Sequence, residues 1–97
     1  MSALIHFSIF PTDKGASVSP YVARAVRIVR DSGLPHKLGP MSTALEGEWD
    51  EVMGVVGRCF AALKEDCGRI YMTVQMDYRK GAVDRIEGKI RSVEAKL

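Results

Sequence analysis

Two stretches alternate apolar and polar residues with a period of two. Others repeat apolar residues at helical spacing, and proline or glycine marks most of the breaks. These observations predict an α+β fold in the order β-α-β-β-α-β-α. Two β-α-β halves with right-handed crossovers give a four-stranded antiparallel sheet with helices on one face. That is a ferredoxin-like βαββαβ sandwich, here with an additional C-terminal helix. The 97 residues are read as a single domain over 1–97.

The first strand is read from residues 3–10, with Ala3, Ile5, Phe7 and Ile9 on one face and Leu4, His6, Ser8 and Phe10 on the other. Residues 11–18 form a loop in which Asp13, Lys14 and Gly15 supply turn chemistry. Ser19 then reads as a helix cap with Pro20 at the first helical position. The apolar stripe of this helix is Val22, Ala25, Val26 and Val29, and Arg24, Arg27 and Arg30 lie opposite. Ser32 and Gly33 end it, and Pro35 prevents its continuation.

Residues 36–39 and 41–46 read as two short strands meeting near Pro40, or equally as one bent strand. Residues 49–67 read as a long helix, with Trp49, Val52, Met53, Val56, Phe60 and Leu63 at helical spacing. Glu48, Asp50 and Glu51 suit its positive N-terminal end. Gly54 and Gly57 cost about 1 kcal/mol each inside a helix, and with Ala61 they form a small-residue strip where another backbone can approach. Residues 69–77 alternate again, Ile70, Met72, Val74 and Met76 against Tyr71, Thr73, Gln75 and Asp77. The final helix is expected over 82–97, with a narrow stripe of Val83, Ile86, Ile90, Val93 and Leu97 suited to a neighbouring chain as well as to its own sheet.

Composition narrows the function. A net charge of +2 from 14 basic and 12 acidic residues is too balanced for a nucleic-acid or polybasic membrane protein. No apolar run approaches the roughly 18 residues of a spanning helix, and the N-terminus lacks the basic region of a signal peptide. The expected setting is the cytoplasm. With 46% hydrophobic residues and a small core, self-association is expected. Cys59 and Cys67 sit about 12 Å apart along one predicted helix, too far for a disulfide, and read as buried free thiols. His6 reads as a sheet-face residue with a local partner, since no second histidine stands at metal-ligand spacing.

The most informative segment is residues 39–52, GPMSTALEGEWDEV, where a strand-like run, the carboxylate of Glu46 and a helix start fall together. A carboxylate at a strand end on so small a scaffold is a candidate ligand contact. Together with SVSPYV at 17–22, RIYMTVQMDYR at 69–79 and the amphipathic C-terminal helix, this segment resembles a family of small thiamine-binding proteins, the YkoF-like group. The resemblance spans essentially the whole chain. It implies a homotetramer, built as a dimer of dimers, that binds thiamine or its hydroxymethylpyrimidine-like portion without catalysing a reaction or holding a cofactor. The chain departs from the family pattern at Gln75, where lysine is common, and at Tyr78, which is often acidic.

The residues suit such a ligand. An aminopyrimidine presents a donor beside an acceptor, and a thiazolium cation favours a carboxylate or an aromatic face. Glu46 and Asp77 are carboxylates, Gln75 both donates and accepts, Thr43 and Thr73 offer hydroxyls, and Met41 and Tyr71 offer contact surface. Ser17 and Ser19 stand at a helix start able to hold a polar or anionic group. Thr73, Gln75 and Asp77 share one strand face, whereas Thr43 and Glu46 fall on opposite faces unless a bulge or bend intervenes.

Three other functions are weighed. An RNA-recognition module needs stacking aromatics on both central strands, and residues 42–46 have none. A small dimeric ferredoxin-like enzyme would have only Glu46, Asp77 and His6 as acid–base groups. A structural or regulatory oligomer without ligand is the remaining alternative, to be distinguished by a pocket lined by Thr43, Thr73 and Glu46.

Overall fold

Strand β1 (Ala3–Pro11) runs through the sheet between two antiparallel neighbours, and its alternation decides the layers. Ala3, Ile5, Phe7 and Ile9 are buried, while His6 on the other face is exposed. The computed structural model describes residues 2–97. After β1 come α1 (Ser19–Asp31), β2 (His36–Leu38), β3 (Thr43–Gly47), α2 (Trp49–Lys64), β4 (Ile70–Tyr78) and α3 (Arg85–Glu94). The sheet order is β2-β3-β1-β4 and every pairing is antiparallel. This is the ferredoxin-like α+β sandwich with a C-terminal helix added. Helices α1 and α2 cover one face, burying Val29, Val52, Val56, Cys59 and Leu63 against β1 and β3.

The 36–46 segment is a hairpin and not a single bent strand. Lys37 pairs with Ala44 and Leu38 with Thr43, and the Gly39 N–H donates to the Ser42 carbonyl at 2.9 Å. Glycine is needed at position 39, because a Cβ there would stand 2.8 Å from the Ser42 carbonyl oxygen. Pro40 and Met41 form the tip, where the missing proline N–H breaks no ladder bond.

Each of the three helices differs from expectation. Ser19 is the first helical residue of α1. The cap is Val18, whose carbonyl accepts from the Tyr21 and Val22 N–H groups, and no side chain caps this end. The buried face of α2 is rotated toward Val55 and Cys59, leaving Trp49 at 50% and Phe60 at 40% exposure. The small side chains decide this. The Cys59 thiol donates to the Ala25 carbonyl at 3.5 Å, so α1 and α2 meet where a large residue would hold them apart. Helix α2 also ends at Lys64, so Cys67 lies in the following turn, and Gly57 faces open space. Finally, α3 is shorter than the 82–97 stretch expected, and of its apolar stripe only Ile86 is buried. Its N-terminal boundary is set by Asp84, which takes a left-handed backbone at φ 53°.

Burial pushes the Cys59 thiol up to about 11 and raises that of Cys67 as well. Neither cysteine is a thiolate near neutrality. Native protein at pH 8 is therefore expected to resist iodoacetamide at both positions, with modification appearing only in denaturant. Mass spectrometry of the intact protein reads this, and fast native labelling of Cys59 would contradict the α1–α2 packing.

Candidate functional site

The face of the sheet that α1 and α2 leave free is built from Leu4, His6 and Ser8 on β1, Ala44 and Glu46 on β3, and Thr73, Gln75 and Asp77 on β4. Helix α3 is laid over one end of it, and Glu46 holds it there. Glu46 is 6% exposed, and its carboxylate accepts from two backbone N–H groups through three contacts. Arg85 donates at 3.0 and 3.2 Å to its two oxygens, and Ile86 donates at 3.1 Å. Glu46 thus does for α3 what a capping residue does from within a helix, satisfying unpaired N–H groups and meeting the positive dipole end. The left-handed turn at Asp84 immediately precedes these two amides.

A second attachment lies on β4. The buried Arg85 guanidinium donates to the Asp77 carbonyl at 2.6 Å and to its carboxylate at 2.7 Å, and Lys89 donates to the same carboxylate oxygen at 2.6 Å. The Lys89 hydrogen bond, with the charge of Arg85, holds the Asp77 carboxyl below its ordinary value of 3.8. On the other side Lys37 of β2 pairs with Glu87 at 3.5 Å. Three strands therefore grip one helix.

Between α3 and the sheet runs a groove of about 570 Å³, within the usual range for small-molecule sites. Leu4, Ala44, Ile86 and Ile90 are among its apolar lining residues. Its floor is polar and ordered from the β2–β3 hairpin across β1 to β4. His6 Nε2 donates to Gln75 Oε1 at 2.6 Å, and His6 Nδ1 lies 3.0 Å from the Ser42 hydroxyl. Because a carboxamide oxygen only accepts, this arrangement places the imidazole proton on Nε2. In the neutral ring Nδ1 accepts from Ser42, and the Gln75 NH2 is left without a protein acceptor among the described residues.

The residues named from the sequence divide among several places. Gln75 and Asp77 line the groove, and Glu46 builds its wall from behind. Thr73 and Tyr71 continue along the same free face, Thr73 bonded to Ser8 at 2.9 Å and Tyr71 packed on Phe10 with ring centroids 5.8 Å apart. Met41 and Thr43 line a different cleft of about 370 Å³ on the helix side, beside Phe7, Val22 and Val26. Ser19 borders a shallow depression with Arg27 and Pro40, and Ser17 lies exposed in the β1–α1 loop. The β3 register against β1 is continuous over Thr43–Gly47, so no bulge brings Thr43 and Glu46 together. Sequence reasoning left Ser42, Leu4, Ala44, Ile86 and Ile90 out of the binding site, and gave His6 a part only as an acid–base group of the enzyme alternative. The alternation of β1 already put His6 on the free face, but its partners are 36 and 69 residues away. Among the described residues no group of three or more His, Cys, Asp or Glu is placed to hold a metal, and no helix is long and apolar enough to cross a membrane.

Fold and groove together define a ferredoxin-like protein with an extra helix seated on its free sheet face. The chain belongs to the thiamine-binding protein family, whose model matches residues 5–94. It is 40% identical over 98 residues to a UPF0045 protein of Mycobacterium bovis, covering 100% of this chain and 96% of the relative. A hypothetical protein from Methanocaldococcus jannaschii has a similar solved structure, with TM-score 0.88, 30% identity and 96% of each chain covered. A domain of unknown function from Bacillus cereus superposes with TM-score 0.80 at 29% identity, over 92% of this chain and 86% of that one.

Two outcomes follow for α3. Glu46→Gln leaves one carboxamide oxygen for two N–H donors and removes the charge. It should cost about 1–3 kcal/mol, with faster hydrogen exchange at the Arg85 and Ile86 amides and little change in the β1 amides. Acid should act at the other attachment. Since the Asp77 carboxyl is depressed in the folded state, its contribution is present above the ordinary value and is lost as pH falls through the depressed one. The α3 amides should thus lose protection below roughly pH 4, and Asp77→Asn should remove that acid step while weakening α3 at neutral pH.

Proposed function

We propose that this protein binds thiamine, through its pyrimidine half, in the groove between α3 and the free sheet face, and catalyses no reaction. The observation that carries the reading is the Ser42–His6–Gln75 chain on the groove floor. It holds the Gln75 carboxamide by its oxygen and leaves its NH2 as a donor for a pyrimidine ring nitrogen, with the Ser42 oxygen, across the His6 ring, as acceptor for an exocyclic amine. Leu4, Ala44, Ile86 and Ile90 supply the apolar contact that a flat heterocycle requires. Membership of a family described by thiamine binding supports the same ligand.

The functional unit in this reading is a homotetramer, a dimer of dimers. The large apolar side chains left exposed on α2, β4 and α3, among them Trp49, Met76 and Val93, support self-association. Two free, buried thiols and no disulfide suit the reducing cytoplasm.

Calorimetric titration tests the reading. Saturable binding of thiamine is expected, with the isolated hydroxymethylpyrimidine retaining most of the affinity. His6→Ala and Gln75→Ala should each weaken binding about tenfold, equivalent to one lost ligand-orienting hydrogen bond of about 1.4 kcal/mol, without lowering Tm appreciably. Thr43→Val, which alters the helix-side cleft, should bind as the parent does. Undiminished affinity in Gln75→Ala would remove the groove from the reading. The absence of heat up to millimolar thiamine would favour the ligand-free structural oligomer.

A further inference from the structure

A histidine, the side chain type that changes charge between about pH 5 and 8, stands at the centre of the groove floor. His6 meets Gln75 through Nε2 and Ser42 through Nδ1, and the two contacts answer protonation differently. Nε2 carries a proton in the neutral ring and in the imidazolium, so the 2.6 Å bond to the Gln75 carboxamide oxygen is kept in both. The Gln75 NH2 therefore remains a donor. Nδ1 accepts in the neutral ring and donates in the imidazolium.

The Ser42 hydroxyl must follow. It lies 3.0 Å from Nδ1 and has no other protein partner among the described residues. The backbone beneath it is fixed, because the Ser42 carbonyl accepts from the Gly39 N–H at 2.9 Å in the hairpin turn. Rotation about one C–O bond is the whole response. Against neutral Nδ1 the hydroxyl donates to the ring and keeps its oxygen for a ligand. Against protonated Nδ1 it accepts from the ring and turns its own proton away, as a donor.

We propose that His6 is a proton-operated selector: neutral, it sets the groove for a pyrimidine with an exocyclic amine, and charged, for one with an oxygen in the amine's place. This rests on the groove reading above and gives that site a regulation. In either state the Gln75 NH2 meets a ring nitrogen, so the ring keeps its seat and only the substituent is chosen anew. An amine facing the charged state sets donor against donor. A ligand oxygen facing the neutral state sets acceptor against acceptor, and each mismatch leaves a polar group unpaired.

The surrounding charges leave the ring free to act. On the same face β1 offers Leu4 and Ser8, and β3 places Ala44 opposite His6. The charged residues lining the groove are Lys37 of β2, Asp77 of β4 and Lys89 of α3. Lys37 is paired with Glu87, and Asp77 with both Arg85 and Lys89. No carboxylate among the described residues bonds the imidazole, and His6 is exposed, so water reaches the ring in both states.

Two probes read the switch on the full chain: the hydroxymethylpyrimidine with its amino group, and the same ring with a methoxy group in the amine's place. Calorimetry should favour the amino ring by about tenfold at about pH 8, and the methoxy ring by about tenfold at about pH 5. Both conditions lie above the acid step at Asp77, so α3 stays in place. The amino ring's own protonation also weakens it in acid. Ser42→Ala measures that part alone, since it removes the rotating hydroxyl and leaves the ligand unchanged. The preference should thus shift about a hundredfold with pH in the parent and far less in Ser42→Ala. Equal shifts in the two proteins would overturn the selector while the groove reading stands. Ring nitrogen shifts of isotope-labelled histidine test the wiring without ligand, and at about pH 8 the His6 proton should sit on Nε2. A proton on Nδ1 instead would overturn the proposal. If neither probe binds at either pH, the groove reading fails and the selector built on it fails too.

Discussion

The Glu46 carboxylate on the N-terminus of α3 is the interaction on which the rest of the site depends. A buried carboxylate is tolerated only when hydrogen bonds replace its hydration, and two backbone N–H groups, that of Arg85 shared between both oxygens, do so here. The arrangement is reciprocal. The same bonds satisfy helix-end donors that would otherwise lack partners, so strand β3 and helix α3 each solve the other's problem. Ile86 is the one apolar residue of α3 that is buried, and most of the helix's hydrophobic stripe stays in solvent. Polar anchoring therefore decides where this helix lies, and its position in turn creates the groove.

The groove inherits its chemistry from the sheet's register. His6 has Ala44 on one side and Gln75 on the other, with Ser42 one step along the free face. A shift by one residue would turn His6 into the core and remove the polar floor altogether. On the opposite face the same register buries Ile5 and Phe7 beneath α1 and α2, so core packing and site geometry are fixed by one constraint. The cationic residues at the mouth are matched: Lys37 by Glu87, and Lys89 and Arg85 by Asp77. The groove is polar without carrying a strong field of one sign, which suits a heteroaromatic ligand better than a polyanion.

The element order and the two faces of β1 and β4 were legible because period-two alternation acts locally. So was the opposition of Thr43 and Glu46, which follows from their odd spacing in a strand. The use of Glu46 was not legible. Its partners lie 39 and 40 residues further on, and a carboxylate just before a helix also reads as an electrostatic start signal for that helix. His6 was similar: its face could be read, but its neighbours depend on strand pairing across 36 and 69 residues. The α2 face was misjudged because Val55 and Cys59 carry less apolar bulk than Trp49 and Phe60, yet close helix contact selects the smaller residues. The extent of α3 was overestimated because an amphipathic stripe continues past the point where the sheet supports it.

Amide shift mapping on isotope-labelled protein with saturating thiamine tests most directly the claim that α3 and the free sheet face together form the binding site. The account predicts that the largest changes fall on His6, Ala44, Gln75, Ile86 and Ile90, all lining one groove. Changes centred instead on Val22, Val26 and Thr43, in the helix-side cleft, would contradict it.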